Sequence, residues 1–299
     1  MPDASVGFKQ QSRVYSFLAE ADHMLWHFLD GRRLIADLAT RTRLQGLAFG
    51  QFRDAVLTFQ LLQTFLKTGE GLGLYIDGEQ PVFCLKIEMN SYGHMRSMVW
   101  PQEVPEFPKA IHGICRVLKT IPSQSEPYTS VIQLNGESMR EIVNEVLRAS
   151  SQMDSFIAVS DLMDHSVLLH RLPKKPRDQS GVAANSELET GPLSDARQYF
   201  FRRQLDIRQL LDHEWDHEGT MIAAMSRLNL LYLGSTPVEF LCTCSQQRMI
   251  ANLQRVARMS PQDLEPEMSD QGFVSLVCDY CLTEYKISSG DLVAESEIL

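Results

Sequence analysis

Cys242, Thr243 and Cys244 form a C-x-C motif, and 33 residues later Cys278, Asp279, Tyr280 and Cys281 form a C-x-x-C motif. Each motif offers two closely spaced sulfur donors. Folding that brings the motifs together completes the tetrahedral thiolate shell that zinc favours, with metal–sulfur distances of about 2.3 Å. The expected site is one Zn2+ held by Cys242, Cys244, Cys278 and Cys281. The same thiols carry a second chemistry. Sulfurs on a tetrahedral zinc lie about 3.8 Å apart, whereas a disulfide holds them at about 2.05 Å, so metal and disulfide exclude each other. The spacing is equally compatible with an oxidant-sensitive switch and with a purely structural zinc knob.

The segment that must position these thiols, residues 236–299, is small and acidic: Arg248, Arg255, Arg258 and Lys286 stand against ten Asp or Glu. A unit of this size buries little surface and commonly needs a staple. Structural zinc supplies roughly 10–16 kcal/mol of apparent binding energy in small peptides, against about 5–15 kcal/mol of stability for a whole domain. VCDYCLTEYKI (Val277 to Ile287) reads as a hairpin rather than the helix start that activates a redox C-x-x-C. The acidic run Asp263, Glu265, Glu267 and Asp270 reads as a solvated face. Cys84 in VFCLKI and Cys115 in GICRVL sit among apolar residues and read as small core side chains.

Upstream, Arg33 to Lys67 reads as helical, with Ala55, Phe59, Leu62 and Leu66 on one stripe that should pack on a sheet. After Gly69, Gly71 and Gly73 come two strand-like runs with a turn expected at Asp77-Gly78. Further strands are expected at Ile114 to Leu118, Ser130 to Leu134 and Phe156 to Val159, and a helix at Ser138 to Ala149. Pro173 to Pro192 has the composition of an exposed connector. Leu193 to Leu233 reads as a helical connector with apolar surface to cover. The expected fold class is α+β: a mixed sheet-and-helix domain over 1–175, a connector and helical linker over 176–235, and a four-cysteine zinc module over 236–299.

Composition narrows the function. A formal charge of −10 removes the counterion-release term that nucleic-acid binding depends on, so DNA and RNA are not expected partners. The first residues lack a secretory pattern. The most apolar stretch, Met221 to Leu233, is too short and too interrupted to span a bilayer. A soluble cytoplasmic protein is expected, where closely spaced thiols serve metal or redox chemistry rather than a disulfide scaffold.

Two other motifs are weaker. His213, Glu214 and His217 match H-E-x-x-H, which on a helix would hold zinc beside a general base. Its setting DHEWDHEG is a solvated acidic run, and a chance match is the better reading. Gly69, Gly71 and Gly73 precede a strand instead of following one, so they read as a turn and not a phosphate loop.

VEFLCTCSQQR (Val238 to Arg248) and VCDYCLTEYKISSGDL (Val277 to Leu292) resemble the C-terminal zinc module of the heat shock protein 33 family of redox-regulated holdases. Weaker resemblance runs through FLKTGEGLGLYIDGEQP, GHMRSMVWP, EPYTSVIQLNGES and RASSQMDS. The resemblance implies a non-enzymatic chaperone that is zinc-loaded and inactive when reduced. Oxidants would form two disulfides, Cys242 with Cys244 and Cys278 with Cys281, and release zinc. The module and linker would then lose structure and expose surface that holds unfolding client proteins, with homodimerisation in the oxidised form. The alternatives are a zinc protein with constitutive protein contacts, a thiol oxidoreductase, or a metallohydrolase. Departures from the family pattern replace turn-type residues: Leu282, Ser97 and the pair His165-Ser166 stand at glycine positions, and Asp154 at a proline position.

Overall fold

The computed structural model describes residues 11–151, 153–172, 195–259, 272–288 and 290–291. The connector stretch Pro173 to Pro192 and the acidic run Asp263 to Asp270 lie outside the described residues. The chain forms two compact units, Met1–Phe240 and Leu241–Leu299.

In the first unit, a five-stranded antiparallel sheet has the order β10-β1-β2-β9-β8. Its strands are β1 (Arg13–Ala19), β2 (Met24–Asp30), β8 (Ser155–Val159), β9 (His165–Arg171) and β10 (Leu231–Pro237). A six-stranded sheet has the order β11-β5-β4-β3-β6-β7. It contains β3 (Gly71–Glu79), β4 (Val82–Asn90), β5 (His94–Trp100), β6 (Ile111–Thr120), β7 (Tyr128–Glu137) and the two-residue β11 (Glu239–Phe240). Between the sheets lie α1 (Arg32–Ala39) and α2 (Gly46–Gln60). The second half of α2 is buried nearly all round, at Phe52, Ala55, Val56, Leu57 and Phe59, because it meets apolar side chains of both sheets. The continuous helix expected over Arg33 to Lys67 is therefore two helices and a closing 3-10 turn at Leu61–Phe65.

Strand alternation was legible, but the hairpin turn was not. Asp77 and Gly78 lie inside β3, paired with Cys84 and Phe83, and the chain reverses at Gln80-Pro81. Gly78 is required by packing, since an added Cβ would fall 2.1 Å from the Phe83 ring. Gly69, with φ of +83°, makes the turn that leads into β3, as expected. The expected helix over Ser138 to Ala149 is shorter, α3 (Ile142–Val146), and continues as a π turn.

The far face of the five-stranded sheet is covered by α4 (Ala196–Arg202), α5 (Gln204–Leu211) and α6 (Glu218–Arg227). Tyr199, Ile207, Leu210, Leu211, Trp215, Met221 and Met225 pack there on Tyr15, Phe17, Trp26 and Phe28. The helical reading of Leu193 to Leu233 holds in three short helices between Ala196 and Arg227, is interrupted over Asp212 to His217, and fails at the end, because Leu231–Pro237 pairs with β1 as an edge strand. Polar contacts fix the layer at its ends. Arg32 donates to the Trp215 carbonyl at 2.6 Å, Ser160 to Asp212 at 2.6 Å, and His165 Nδ1 lies 2.9 Å from the Leu211 carbonyl.

His27 lies on the opposite face of β2, buried, 2.8 Å from Ser16 Oγ and packed against Phe65. Burial, reinforced by the neighbouring His170, pushes its pKa down from 6.5 to about 4. The unfolded chain therefore takes up a proton below pH 6.5 that the folded chain refuses. This contribution is whole above pH 6.5 and is lost as pH falls toward about 4. The loss is on the order of 3 kcal/mol, at 1.36 kcal/mol per pKa unit. Denaturant unfolding at pH 7.5 and 4.5 should show this drop, and His27→Asn, which keeps a partner for Ser16, should shrink it. An equal drop in the variant places the acid sensitivity elsewhere.

Candidate metal centre

The second unit is built from α7 (Gln246–Met259) and a hairpin of β12 (Phe273–Val277) and β13 (Glu284–Ser288). Among the described residues, Leu253, Val274 and Ile287 form its buried apolar cluster, with Met249, Ile250 and Leu276 partly buried around them. Such a core holds three elements together poorly by itself. The hairpin expected for VCDYCLTEYKI is present, with Val274 paired to Ile287 and Val277 to Glu284.

The C-x-C motif lies just before α7, and Arg248 in its first turn ties the loop by donating to the Thr243 carbonyl at 2.9 Å. The C-x-x-C motif forms the hairpin turn. The Leu282 N–H donates to the Cys278 carbonyl at 2.8 Å and the Cys278 N–H to the Thr283 carbonyl at 2.9 Å. Closing this turn requires Leu282 to adopt φ of +58°, a left-handed conformation that glycine takes without a steric penalty.

The result is convergence of four sulfurs, all within 4.8 Å of one another. Cys242 Sγ lies 3.7 Å from Cys278 Sγ, and Cys244 Sγ lies 3.3 Å from Cys281 Sγ. A four-coordinate shell with sulfur at about 2.3 Å needs separations near 3.8 Å, so the donor set fits a tetrahedral thiophilic ion. All four are free thiols, and Cys278 is the buried one while the others are half-buried.

Main-chain N–H groups point at these sulfurs: that of Cys244 at Cys242, those of Tyr280 and Cys281 at Cys278, and that of Thr283 at Cys281. Such donors stabilise thiolates. Burial still pushes the Cys242 and Cys278 thiols up. Burial also opposes ionisation of Cys281, but hydrogen bonds from Thr283 and the neighbouring thiols bring it down to about 7. The Cys281 thiol is thus shifted toward its ionised form, the one that takes a soft metal or reacts with an oxidant. Tyr285 donates to Cys244 Sγ at 3.0 Å, which raises the phenol to about 12. Sequence reading missed Thr283 and Tyr285. Their signal was position: Thr283 closes the turn two residues after Cys281, and Tyr285, two residues further on in β13, falls on the same side.

The other candidate residues do not join this centre. Among the described residues the four cysteines are the one group placed to hold a metal. His213, Glu214 and His217 lie between α5 and α6 instead of on one helix: Trp215 of that run is buried in the sheet-facing core, and His217 caps α6. The H-E-x-x-H hydrolase reading fails on this geometry. Cys115 is buried in the core of the first unit, and burial pushes its thiol up to about 12. Cys84 is only half-buried, on the outer face of β4, rather than a core residue.

Fold and site together define an α+β protein whose C-terminal unit carries a four-cysteine metal-type centre. The family model described as Hsp33 protein matches residues 12–288, and the chain belongs to the Hsp33 family. Relatives named 33 kDa chaperonin come from Photorhabdus laumondii, 25% identical over 81% of each chain, and from Latilactobacillus sakei, 24% identical over 83% of this chain and 84% of that one. The 33 kDa chaperonin of Escherichia coli strain IAI39 is 24% identical over 80% of this chain. The crystal structure of a 33 kDa chaperonin from Thermotoga maritima shares the fold, with a TM-score of 0.66 at 15% identity over 95% of this chain and 97% of that one. The family is one of chaperones, a class that generally works by binding rather than catalysis.

A non-glycine residue in the left-handed region costs roughly 1–2 kcal/mol, part of which glycine returns through its freer unfolded chain. Leu282→Gly should therefore stabilise the hairpin by about 0.5–1 kcal/mol. Folding and metal binding are linked, so chelator competition with Zn2+ should show an affinity gain of about two- to fivefold. Unchanged or weaker affinity means that Leu282 makes a packing contribution that outweighs its backbone strain.

Proposed function

We propose that this chain is an oxidant-activated holdase that keeps unfolding proteins from aggregating, without turnover, in the cytoplasm. The observation that carries this reading is the convergence of four thiols within 4.8 Å in a unit whose apolar cluster, among the described residues, has three buried side chains. One Zn2+ bound by Cys242, Cys244, Cys278 and Cys281 would hold the thiols ionised and crosslink helix to hairpin.

Two thiols and one hydrogen peroxide give one disulfide and two waters. Two such steps join Cys242 with Cys244 and Cys278 with Cys281, and leave no thiolate to retain the metal. The unit then loses its main crosslink. Functionally the chain divides into a core domain over 1–175, a connector over 176–235 and the switch module over 236–299. Loss of order in the module spreads to the connector, whose release uncovers the apolar surface now shared by Trp26, Phe28, Tyr199, Leu210 and Trp215. That surface, on both the connector and the sheet, holds the client. The oxidised form pairs as a homodimer.

The reduced protein should bind one Zn2+ and fail to suppress aggregation of heat-unfolded malate dehydrogenase. Peroxide under mildly unfolding conditions should release the metal and switch suppression on in parallel, with the two within-motif disulfides found by peptide mapping. Equal protection by reduced and oxidised forms sinks the redox switch, and disulfides between the motifs overturn the pairing. Separately, Trp215→Ala removes the largest anchor of the connector, a change that costs about 3–5 kcal/mol in a packed core. It should give measurable suppression without oxidant while Zn2+ stays bound. An inactive reduced variant with a loosened connector shows that connector release does not create the client surface.

A further inference from the structure

Strand β7 (Tyr128–Glu137) closes one side of the six-stranded sheet and is the longest open edge among the described strands. The other edges are short or guarded. β11 has two residues. β8 has five and lies under α4, with Phe156 and Phe200 rings 4.8 Å apart. β10 is broken by a register shift opposite Ser16 and Phe17 and ends in Pro237. In contrast, β7 runs in unbroken register from Tyr128 to Asn135 against β6, with neither lysine nor proline. Natural edges of this length normally carry such guards.

The side that faces away from β6 can be read from side-chain contacts. The Asn135 N–H is taken by Glu137 of the same strand at 2.7 Å, and the Gln133 carbonyl by the Asn135 side chain at 3.4 Å. Odd-numbered positions therefore turn their main-chain groups outward, and strand alternation extends this to Val131 and Thr129. No partner for the outward groups of Thr129 and Val131 is present among the described residues. Beside this edge Val131 is 64% exposed, on the face it shares with Arg116 opposite it and with Ile114, 38% exposed, on neighbouring β6; Tyr128, 62% exposed, points to the other face.

We propose that the β7 edge is a client subsite that pairs with an extended segment of an unfolding polypeptide, adding it to the sheet as a seventh strand. This rests on the holdase reading above. Main-chain groups in strand register are matched only by another extended backbone, and such pairing needs no particular sequence. Apolar side chains at alternate positions of the client would lie beside Val131 on the exposed face. A second copy of this chain is the competing occupant, and only its pairing depends on protein concentration in the absence of client. The edge contributes register-tolerant pairing to clients that the released connector surface has already captured.

The test is amide exchange on the oxidised full chain, with and without reduced, carboxymethylated α-lactalbumin as a permanently unfolded probe. The Thr129 and Val131 amides should exchange at least tenfold more slowly with the probe bound. Val131→Pro removes one outward donor, and Val131→Lys guards the edge without altering the backbone. Each should weaken probe binding about five- to tenfold while disulfide formation and the unfolding curve stay as in the parent. If the parent binds the probe but these amides stay unprotected, or the folded Lys variant binds equally well, the edge subsite is wrong and the holdase reading stands. Protection that appears without probe and rises with protein concentration assigns the edge to a second copy and overturns the proposal. If the oxidised parent neither binds the probe nor suppresses aggregation, the holdase reading falls and the subsite falls with it.

Discussion

Everything particular to this chain depends on how four sulfurs are kept within 4.8 Å of one another. Two come from the loop before α7 and two from the turn between β12 and β13, so the sulfur cluster joins the helix to the hairpin. Among the described residues, apolar packing makes the same join through Leu253, Val274 and Ile287 and their partly buried neighbours. The first unit differs in kind. Its two large clusters involve both sheets and nearly every helix, and no single contact decides whether they persist. On the proposed function, one chain combines a unit whose order is built into its core with a unit whose order depends on four thiols, and a redox signal acts on the second without first defeating the first.

Residues 231–240 carry the continuity between these parts. β10 pairs with β1 in the five-stranded sheet, and after Val238 the two residues of β11 run parallel to β5 in the six-stranded sheet. The crossing is tight at Gly93, where an added Cβ would fall 1.8 Å from the Pro237 carbonyl oxygen. Leu241 follows immediately and Cys242 is the first sulfur donor. The last ten residues of the first unit are therefore mostly strand, divided between its two sheets. On the proposed function, disorder beginning at Cys242 reaches an edge strand within a few residues, and edge strands have the fewest bonds to lose.

The sequence made the candidate centre legible because cysteine chemistry is local: two short motifs define the donors whatever the rest does. The hairpin that presents Cys278 and Cys281 was legible too, since Val274 to Val277 and Glu284 to Ile287 flank a turn-sized gap. Strand β10 was not. Leu231–Pro237 continues an apolar run out of α6, and only its pairing with β1, more than 200 residues earlier, makes it a strand. The Asp77-Gly78 turn misled for a related reason. Gly78 looks like turn chemistry, but it is there to let the Phe83 ring approach the strand, and Gln80-Pro81 makes the reversal. A glycine in a sequence states that space or a dihedral is needed without saying which.

The departures from the family pattern gain a physical meaning once their contacts are seen. Asp154 accepts from the Ala196 N–H at 2.7 Å and pairs with Arg171 at 2.9 Å, which anchors the start of α4. His165 fills a fully buried position and reaches the Leu211 carbonyl at the end of α5, while Ser166 donates to the Leu57 carbonyl of α2 at 2.7 Å. Ser97 faces the core with its hydroxyl unpartnered, and nothing in the structure explains it. Proline or glycine would supply neither of the first two anchors. Asp154 and His165 therefore grip opposite ends of the helical layer that covers Trp26 and Phe28. Leu282 acts the other way, placing backbone strain in the turn that holds two of the sulfurs. In this chain the substitutions tighten the connector and weaken the hairpin, so the proposed switch would lose its metal readily yet need further unfolding before the connector lets go.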